Sequence, residues 1–346
     1  MNIEIELSTD YNAVIDHVRN TRNVVQASGQ SLIIIQNGKI VTEHYEGHHS
    51  NIRNAKSLTM DSLFHIASVR KSYTGFCVAW AICNGHINSI DDPVLKYLPE
   101  LNEETLKGIT LRHFLTHTHG LRTNPDGNLF NYFHAGERWD YRDENIRMLA
   151  EIIRRTTGKT VAKIASEEIF VPLGFKKAGW YTEPSDDMVL TIFEPDGKSS
   201  FETRNSADGD RPNMFSTARE LAYWGFLHLN NGKIGDEQIV NPEILKMATT
   251  VQSPKLLRKE FPNNGFLWQV QMNPTKNSEI GLNVPKGSFQ ILGICNQTLL
   301  VMPEFNLVAV RLLNRLGNPP GFNYLEDVKS FGDCVTEAST KLLVKI

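Results

Sequence analysis

In the stretch FHIASVRKSYTGF, residues 64–76, Ser68 precedes Lys71 by three positions. A serine hydroxyl is a weak nucleophile at neutral pH and needs a base beside it. Residues at i and i+3 share one face of a helix, so Ser68 and Lys71 can touch if a helix begins at Ser68. Lysine acts as a base only where its surroundings work against its charge. Here the residues that follow are mostly apolar, and desolvation penalises the ammonium. The first turn of a helix also carries partial positive charge, which disfavours a cation and favours an oxyanion developing on a substrate. The pair therefore reads as a candidate nucleophile and base for acyl transfer. The competing reading is an N-capping serine and a solvated lysine, because this spacing also arises by chance.

The elements that must position the pair can be read around it. The chain has 346 residues, 40% of them hydrophobic, enough to bury a large core. Its formal net charge is -3 and it carries no basic stripe, which argues against nucleic acid as a partner. The N-terminal residues lack the charged and apolar regions of a secretory signal, and no apolar run reaches spanning length, so no membrane partner is expected. The four cysteines, Cys77, Cys83, Cys295 and Cys334, form no CxxC pair or metal-ligand spacing. A reducing, cytoplasmic setting is expected.

Residues 9–27 read as a helix. Two β-rich runs flank Asn37-Gly38, a strong hairpin signal. QTLLVMP and NLVAVRLLN read as a second strand pair, followed by a helix from about Tyr324 to Val344. The helix after Ser68 is apolar on nearly all faces, which predicts burial on all sides, with a stop at Asn84-Gly85. DENIRMLAEIIRRTTG places Ile146, Leu149, Ala150 and Ile153 on one helical face. TARELAYWGFLHLNNG opens with a capping box from Thr217 to Glu220. Thr182 to Asn213 reads as long loops. The expected class is α/β (α+β). An antiparallel sheet is flanked by N- and C-terminal helices, with a helical insertion in one domain. Residues 1–88 and 214–346 form the sheet-bearing part, and 89–213 the insertion.

The stretch FHIASVRKSYTGFCVAWAICNGHINSIDDPVLKYLPEL resembles the serine β-lactamase and penicillin-binding protein superfamily. Class C β-lactamases, D-alanyl-D-alanine carboxypeptidases and family VIII esterases are the nearest types. The resemblance continues through ITLRHFLTHTHGL, RWDYRDENIRMLAEIIRRTTGKT and MFSTARELAYWG to LLVMPEFNLVAVRLLN, roughly residues 30 to 315. It implies three motifs. The first is Ser68 and Lys71. The second, Y-x-N in the family, falls on Tyr141 and Asp143, with aspartate in place of asparagine. Tyr141 then shuttles protons with Lys71 as a coupled pair. The alternative for Tyr141 is packing or capping. The third motif, K-T-G or H-x-G, falls on Ile291, Leu292 and Gly293, so an isoleucine stands where a cation is common. Gly293 fits a close backbone approach to substrate, and the oxyanion hole implied is the backbone N–H of Ser68 and Ile294. An ordinary inner strand is the alternative for this placement.

Trp139, two residues from Tyr141, is expected to line the pocket, and Trp268 either to line it or to pack. His113, His117 and His119 cluster in sequence but lack a metal-binding spacing and carboxylate or cysteine partners, so no metal is expected. No organic cofactor is implied either. The reading is a serine hydrolase acting on a small-molecule ester, amide or peptide through an acyl-enzyme on Ser68. An acyltransferase with the same intermediate and a non-catalytic ligand-binding homologue are the alternatives.

Overall fold

The computed structural model describes residues 3–193, 199–200, 206–255, 257–275 and 277–343. Parts of the stretch expected as long loops, residues 194–198 and 201–205, lie outside them, as does Val344. Eight strands form the main sheet: β1 (Glu4–Ile5), β2 (Gly29–Gln36), β3 (Lys39–Gly47), β8 (Asn263–Asn264), β9 (Gln269–Val270), β10 (Phe289–Gly293), β11 (Gln297–Met302) and β12 (Leu307–Leu313). Their order is β1-β3-β2-β12-β11-β10-β9-β8, antiparallel except for β1 on β3. The N-terminal hairpin thus abuts the C-terminal one, with Val308 opposite Ile35 and Val310 opposite Ile33. Asn37 and Gly38 both have positive φ, 51° and 78°, as a tight two-residue turn requires.

A second, four-stranded sheet joins β4 (Leu63–His65), β5 (Gly179–Trp180), β6 (Met188–Val189) and β7 (Met214–Ser216) in the order β5-β7-β4-β6. The middle of the chain is therefore tied into strands as well as helices. Short runs rich in Asp, Pro and Gly hid these two- and three-residue strands from the sequence.

Side-chain alternation sorts the main sheet into two cores. Leu300, Met302, Leu307 and Ala309 face α1 (Asn12–Val25) and α7 (Tyr324–Leu343). Leu299, Val301, Val308 and Val310 face α2 (Lys71–Cys83) and α5 (Ala218–Leu229). One cation interrupts the first face: Arg311 is fully buried and paired to Asp327 of α7 at 2.8 Å. Thr21 of α1 donates to the same carboxylate at 2.5 Å, so one buried charge pair ties both terminal helices to β12. Losing either charge would leave the other buried and unpaired, which costs far more than the pair contributes.

Helix α2 is apolar all round and buried from Lys71 to Ala81, between α4 (Glu144–Thr157) and α6 (Pro242–Thr249). Tyr73 stacks on Trp224 of α5 with centroids 4.7 Å apart, and Trp224 Nε1 donates to Ser72 Oγ at 2.9 Å. At Gly75 the packing is closest, because a Cβ there would strike the Phe266 carbonyl oxygen and lie 3.1 Å from its carbon. Alanine would gain about 1 kcal/mol of helix propensity, but overpacking against backbone costs about 1–3 kcal/mol. Neither atom can rotate away, so the clash wins. Gly75→Ala is expected to lower stability by about 2 kcal/mol in urea denaturation; a more stable variant would show that α2 is not pinned there.

The helix that starts at Thr217 is capped on one side only. Thr217 Oγ1 accepts from Glu220 N at 3.1 Å. Glu220 does not return the bond: its Oε1 accepts from the backbone N–H groups of Lys176 and Lys177, at 2.7 and 3.0 Å. The predicted capping box is thus half present, and its glutamate anchors the segment leading to β5.

Candidate active site

The chain leaves β4 at His65 and turns into a 3₁₀ turn, Ala67–Arg70, that runs directly into α2. Ala67 makes the turn with φ of +47°, which places Ser68 at the wall of a cavity of about 630 Å³. In a 3₁₀ turn, i and i+3 eclipse, so Ser68 stands over Lys71 as the sequence spacing requires.

Lys71 is almost wholly buried, 1% exposed. Its Nζ donates to Tyr141 Oη at 2.5 Å and pairs with Asp143 Oδ1 at 2.5 Å. The sequence argument for an uncharged lysine weighed burial and the helix terminus alone. The structure adds an anion where the resemblance implies an amide, and a buried ammonium with a counter-charge is a different group from one without. Asp143 therefore faces Lys71 while also lining the cavity. Tyr141 is 41% exposed and lies in the loop before α4. That loop is fixed from both sides. Asp140 N donates to the His117 carbonyl at 2.9 Å, and Asn145 Nδ2 donates to the carbonyl of Phe114 in α3 (Leu111–Leu115) at 2.6 Å.

Opposite lies β10. Ile291 sits on the α2 side of the sheet, paired with Leu299, and is 5% exposed. Gly293 lines the cavity, and the protein itself leaves no room for a side chain there. A Cβ there would strike Gln297 Oε1 and approach the Ile66 carbonyl to 2.8 Å. The glycine lets β10 close onto the segment that delivers Ser68. Ile294 follows in the turn, 60% exposed, and also lines the cavity. Trp139 lines it too, with its ring 6.3 Å from that of Tyr141. Trp268 is fully buried against His228 and Phe289, in the core.

The structure thus brings Ser68, Lys71, Tyr141 and Asp143 to one side of a single cavity. Ile291, Gly293, Ile294 and Trp139 complete its wall. The three histidines go separate ways. His113 Nδ1 accepts from Thr110 N as part of a helix cap, and His119 Nδ1 accepts from Leu121 N, both at 3.0 Å. Burial holds His119 down to about 4. His117 packs its ring 4.7 Å from that of Tyr141 and lines the cavity, and burial beside Lys71 lowers its pKa well below the usual value. A histidine weighed only as a metal ligand is thus a neutral packing partner of the tyrosine.

Sequence reasoning also missed Glu279, Tyr324, Arg147 and Arg211, which share the cavity wall. Each lies outside the three motifs, and only the fold brings them there. Three other arginines are placed differently: Arg70 lines the cavity, Arg142 Nε is held by Asp140 at 3.0 Å, and Arg311 is held by Asp327. Backbone strain marks the same place. Among the described residues nine other than glycine have positive φ, and six of these are Asn or Gln. The remaining three, Ala67, His117 and Leu267, all line this cavity. Such conformations cost about 1–3 kcal/mol each and gather at functional sites.

The architecture is that of the serine β-lactamases and their relatives. A class C beta-lactamase aligns with TM-score 0.76 over 95% of this chain and 96% of its own, at 15% identity. EstCE1, a hydrolase with promiscuous acyltransferase activity, aligns with TM-score 0.73 over 95% and 100%, at 16% identity. Residues 16–330 match the Beta-lactamase family, and the chain belongs to it. An uncharacterised protein of Alkalihalophilus pseudofirmus is 49% identical over 335 residues, covering 97% of this chain and 98% of that one.

Proposed function

We propose that this protein is a serine hydrolase that acts on a small-molecule ester or amide through an acyl-enzyme on Ser68. The observation that carries the reading is the buried Lys71 Nζ, 2.5 Å from Tyr141 Oη and one 3₁₀ turn from Ser68. The Lys71–Tyr141 pair enters the step one proton short, as ammonium with phenolate or amine with phenol, so that Tyr141 Oη can take the serine proton as Oγ attacks the carbonyl. The tetrahedral oxyanion is met by the backbone N–H groups of Ser68 and Ile294. The proton then passes from Tyr141 to the leaving group, and water releases the acyl group by the same path in reverse. The four cysteines are free, which suits a reducing compartment, and a cytoplasmic site of action is part of this reading. Among the described residues no helix is long and apolar enough to cross a membrane.

A fluorophosphonate tests the proposal. Intact mass should show one adduct, and peptide mapping should place it on Ser68. An enzyme left unlabelled at millimolar probe would leave only the reading of a ligand-binding homologue. Transfer of the acyl group to an amine or alcohol is the second reading. It rests on a cavity of about 630 Å³, roomy enough for an acceptor beside the acyl chain.

The apolar Ile291 bears on substrate. Penicillins and cephalosporins carry a carboxylate beside the scissile amide, and a charge-assisted hydrogen bond to it contributes about 1.5–3 kcal/mol. Ile291 and Leu292 offer neither charge nor donor. Of the arginines on the wall, Arg70 Nε is committed to the Arg211 carbonyl at 3.0 Å, Arg211 pairs with Asp210 at 3.5 Å, and Arg147 is solvent-exposed, where water screens its charge. Short neutral esters should therefore be turned over better than nitrocefin, and Ile291→Lys should shift the ratio of kcat/KM toward nitrocefin by about 10-fold. A wild-type preference for nitrocefin over p-nitrophenyl acetate would overturn this.

A further inference from the structure

On the same cavity wall, one acidic side chain forms no ion pair among the described residues. Glu279 lines the cavity, in the segment between β9 and β10. Gln269 Nε2 donates to its Oε2, and its backbone is locked by Gln269 Oε1 at 3.3 Å and Gln290 Nε2 at 3.0 Å. Its other carboxylate oxygen, Oε1, has no partner among the described residues, and Glu279 forms no ion pair among them. Burial raises its pKa, while the charges of Lys71 and Lys329 pull it back. Its surroundings are polar and rigid. Tyr324, from the start of α7, lines the same end of the cavity, with Gln269, Gln290 and Asn264. Lys71 is already engaged by Asp143 and Tyr141.

Glu279 is half-buried at the cavity wall, and a carboxylate that loses its water as the cavity fills needs a partner. Here the fold supplies one neutral donor and leaves the second oxygen without a partner among the described residues, on a side chain that lines the space a substrate would fill. We propose that Glu279 is a specificity residue that receives a cationic group, a primary or secondary ammonium, on the substrate. The preferred substrates are then amino-bearing esters or amides, with the cation held at Glu279 while the carbonyl meets Ser68. This rests on the reading of the cavity as a serine hydrolase site, and it gives that site a substrate class. The complementarity is local: an anion at this end meets a carboxylate, and an uncharged chain leaves it desolvated and unpaired.

The test reads binding, so it does not depend on turnover. The probes are ethylammonium to hexylammonium chlorides, each measured against its alcohol at matched ionic strength. Dissociation constants come from calorimetry on the intact chain, and competition against fluorophosphonate labelling places the bound ion in the cavity. At least one ammonium ion should bind about 10- to 100-fold more tightly than its alcohol. Glu279→Gln should shrink that preference to within about 2-fold, and Glu279→Asp should keep most of it. If Glu279→Gln does not fold, the wild-type comparison with Glu279→Asp still decides. Equal affinity of ammonium ion and alcohol for the wild-type protein, or a preference untouched in Glu279→Gln, would overturn the proposal. Failure of Ser68 to react with fluorophosphonate would count against the hydrolase reading alone, because ammonium binding is measured independently.

Discussion

Ser68→Ala should lower kcat/KM for p-nitrophenyl acetate by at least about 10⁴-fold and abolish fluorophosphonate labelling, while the fold stays intact. The size follows from the chemistry. With no oxygen to attack, neither the proton path nor the oxyanion donors have a reaction to assist, and losing a covalent nucleophile removes most of the rate enhancement. Stability is a separate matter. Ser68 is half-buried in the 3₁₀ turn, and removing one oxygen there is expected to change it by less than about 1 kcal/mol. Ser72, one turn on, is the internal control. It is fully buried, donates to the Val69 carbonyl at 2.8 Å and accepts from Trp224 Nε1 at 2.9 Å. Ser72→Ala leaves the indole N–H unpaired, so it should cost about 1–3 kcal/mol of stability and leave Ser68 reactive. Ester turnover by Ser68→Ala at a tenth or more of the wild-type rate would remove Ser68 from the reaction.

The two serines also show which parts of this protein could be read in advance. Burial of α2 was legible because an all-round apolar pattern calls for partners on every side. The two hairpins of the main sheet were legible for a similar reason. Asn37-Gly38 fits the left-handed turn, and period-two patterning fixes which residues face each core. The site was legible as far as its motifs are local: Ser68 with Lys71, and Tyr141 with Asp143. Its charges were not. The pairing of Asp143 with Lys71 joins residues 72 positions apart, and no local rule says that an aspartate in a loop will meet a buried lysine. Glu279 sits in a polar stretch with no periodicity, so only the closure of β9 on β10 brings it to the cavity. The positive φ of Ala67 was hidden as well, since alanine carries no signal for that conformation. At Gly293 the sequence could not show that Gln297 and the Ile66 carbonyl approach, because a glycine reports that something approaches closely and not what approaches.

Lys71→Arg should be nearly as damaging as Lys71→Ala, with kcat/KM for the ester down about 10²- to 10⁴-fold in both. The proposed mechanism sharpens this expectation, because it gives the lysine two jobs. One is electrostatic: its ammonium is the counter-charge of Asp143 and a donor to Tyr141. Arginine can do that job, since a guanidinium pairs with carboxylates in two-pronged fashion and stays charged. The other is proton transfer between Ser68, Tyr141 and the leaving group, and arginine cannot release a proton at any working pH. The two substitutions therefore separate the jobs. Alanine removes both, and arginine removes the second while keeping the first. The ion pair itself is a minor term for stability, because the Asp143 side chain is 68% exposed and water screens it. Arginine is also the larger side chain at a position 1% exposed, and overpacking there costs about 1–3 kcal/mol. Thermal unfolding of both variants, measured beside turnover, keeps a stability loss from passing as a catalytic one. An arginine variant that stays folded and keeps more than about a tenth of the wild-type kcat/KM would make Lys71 an electrostatic anchor, and proton transfer would then belong to Tyr141 alone.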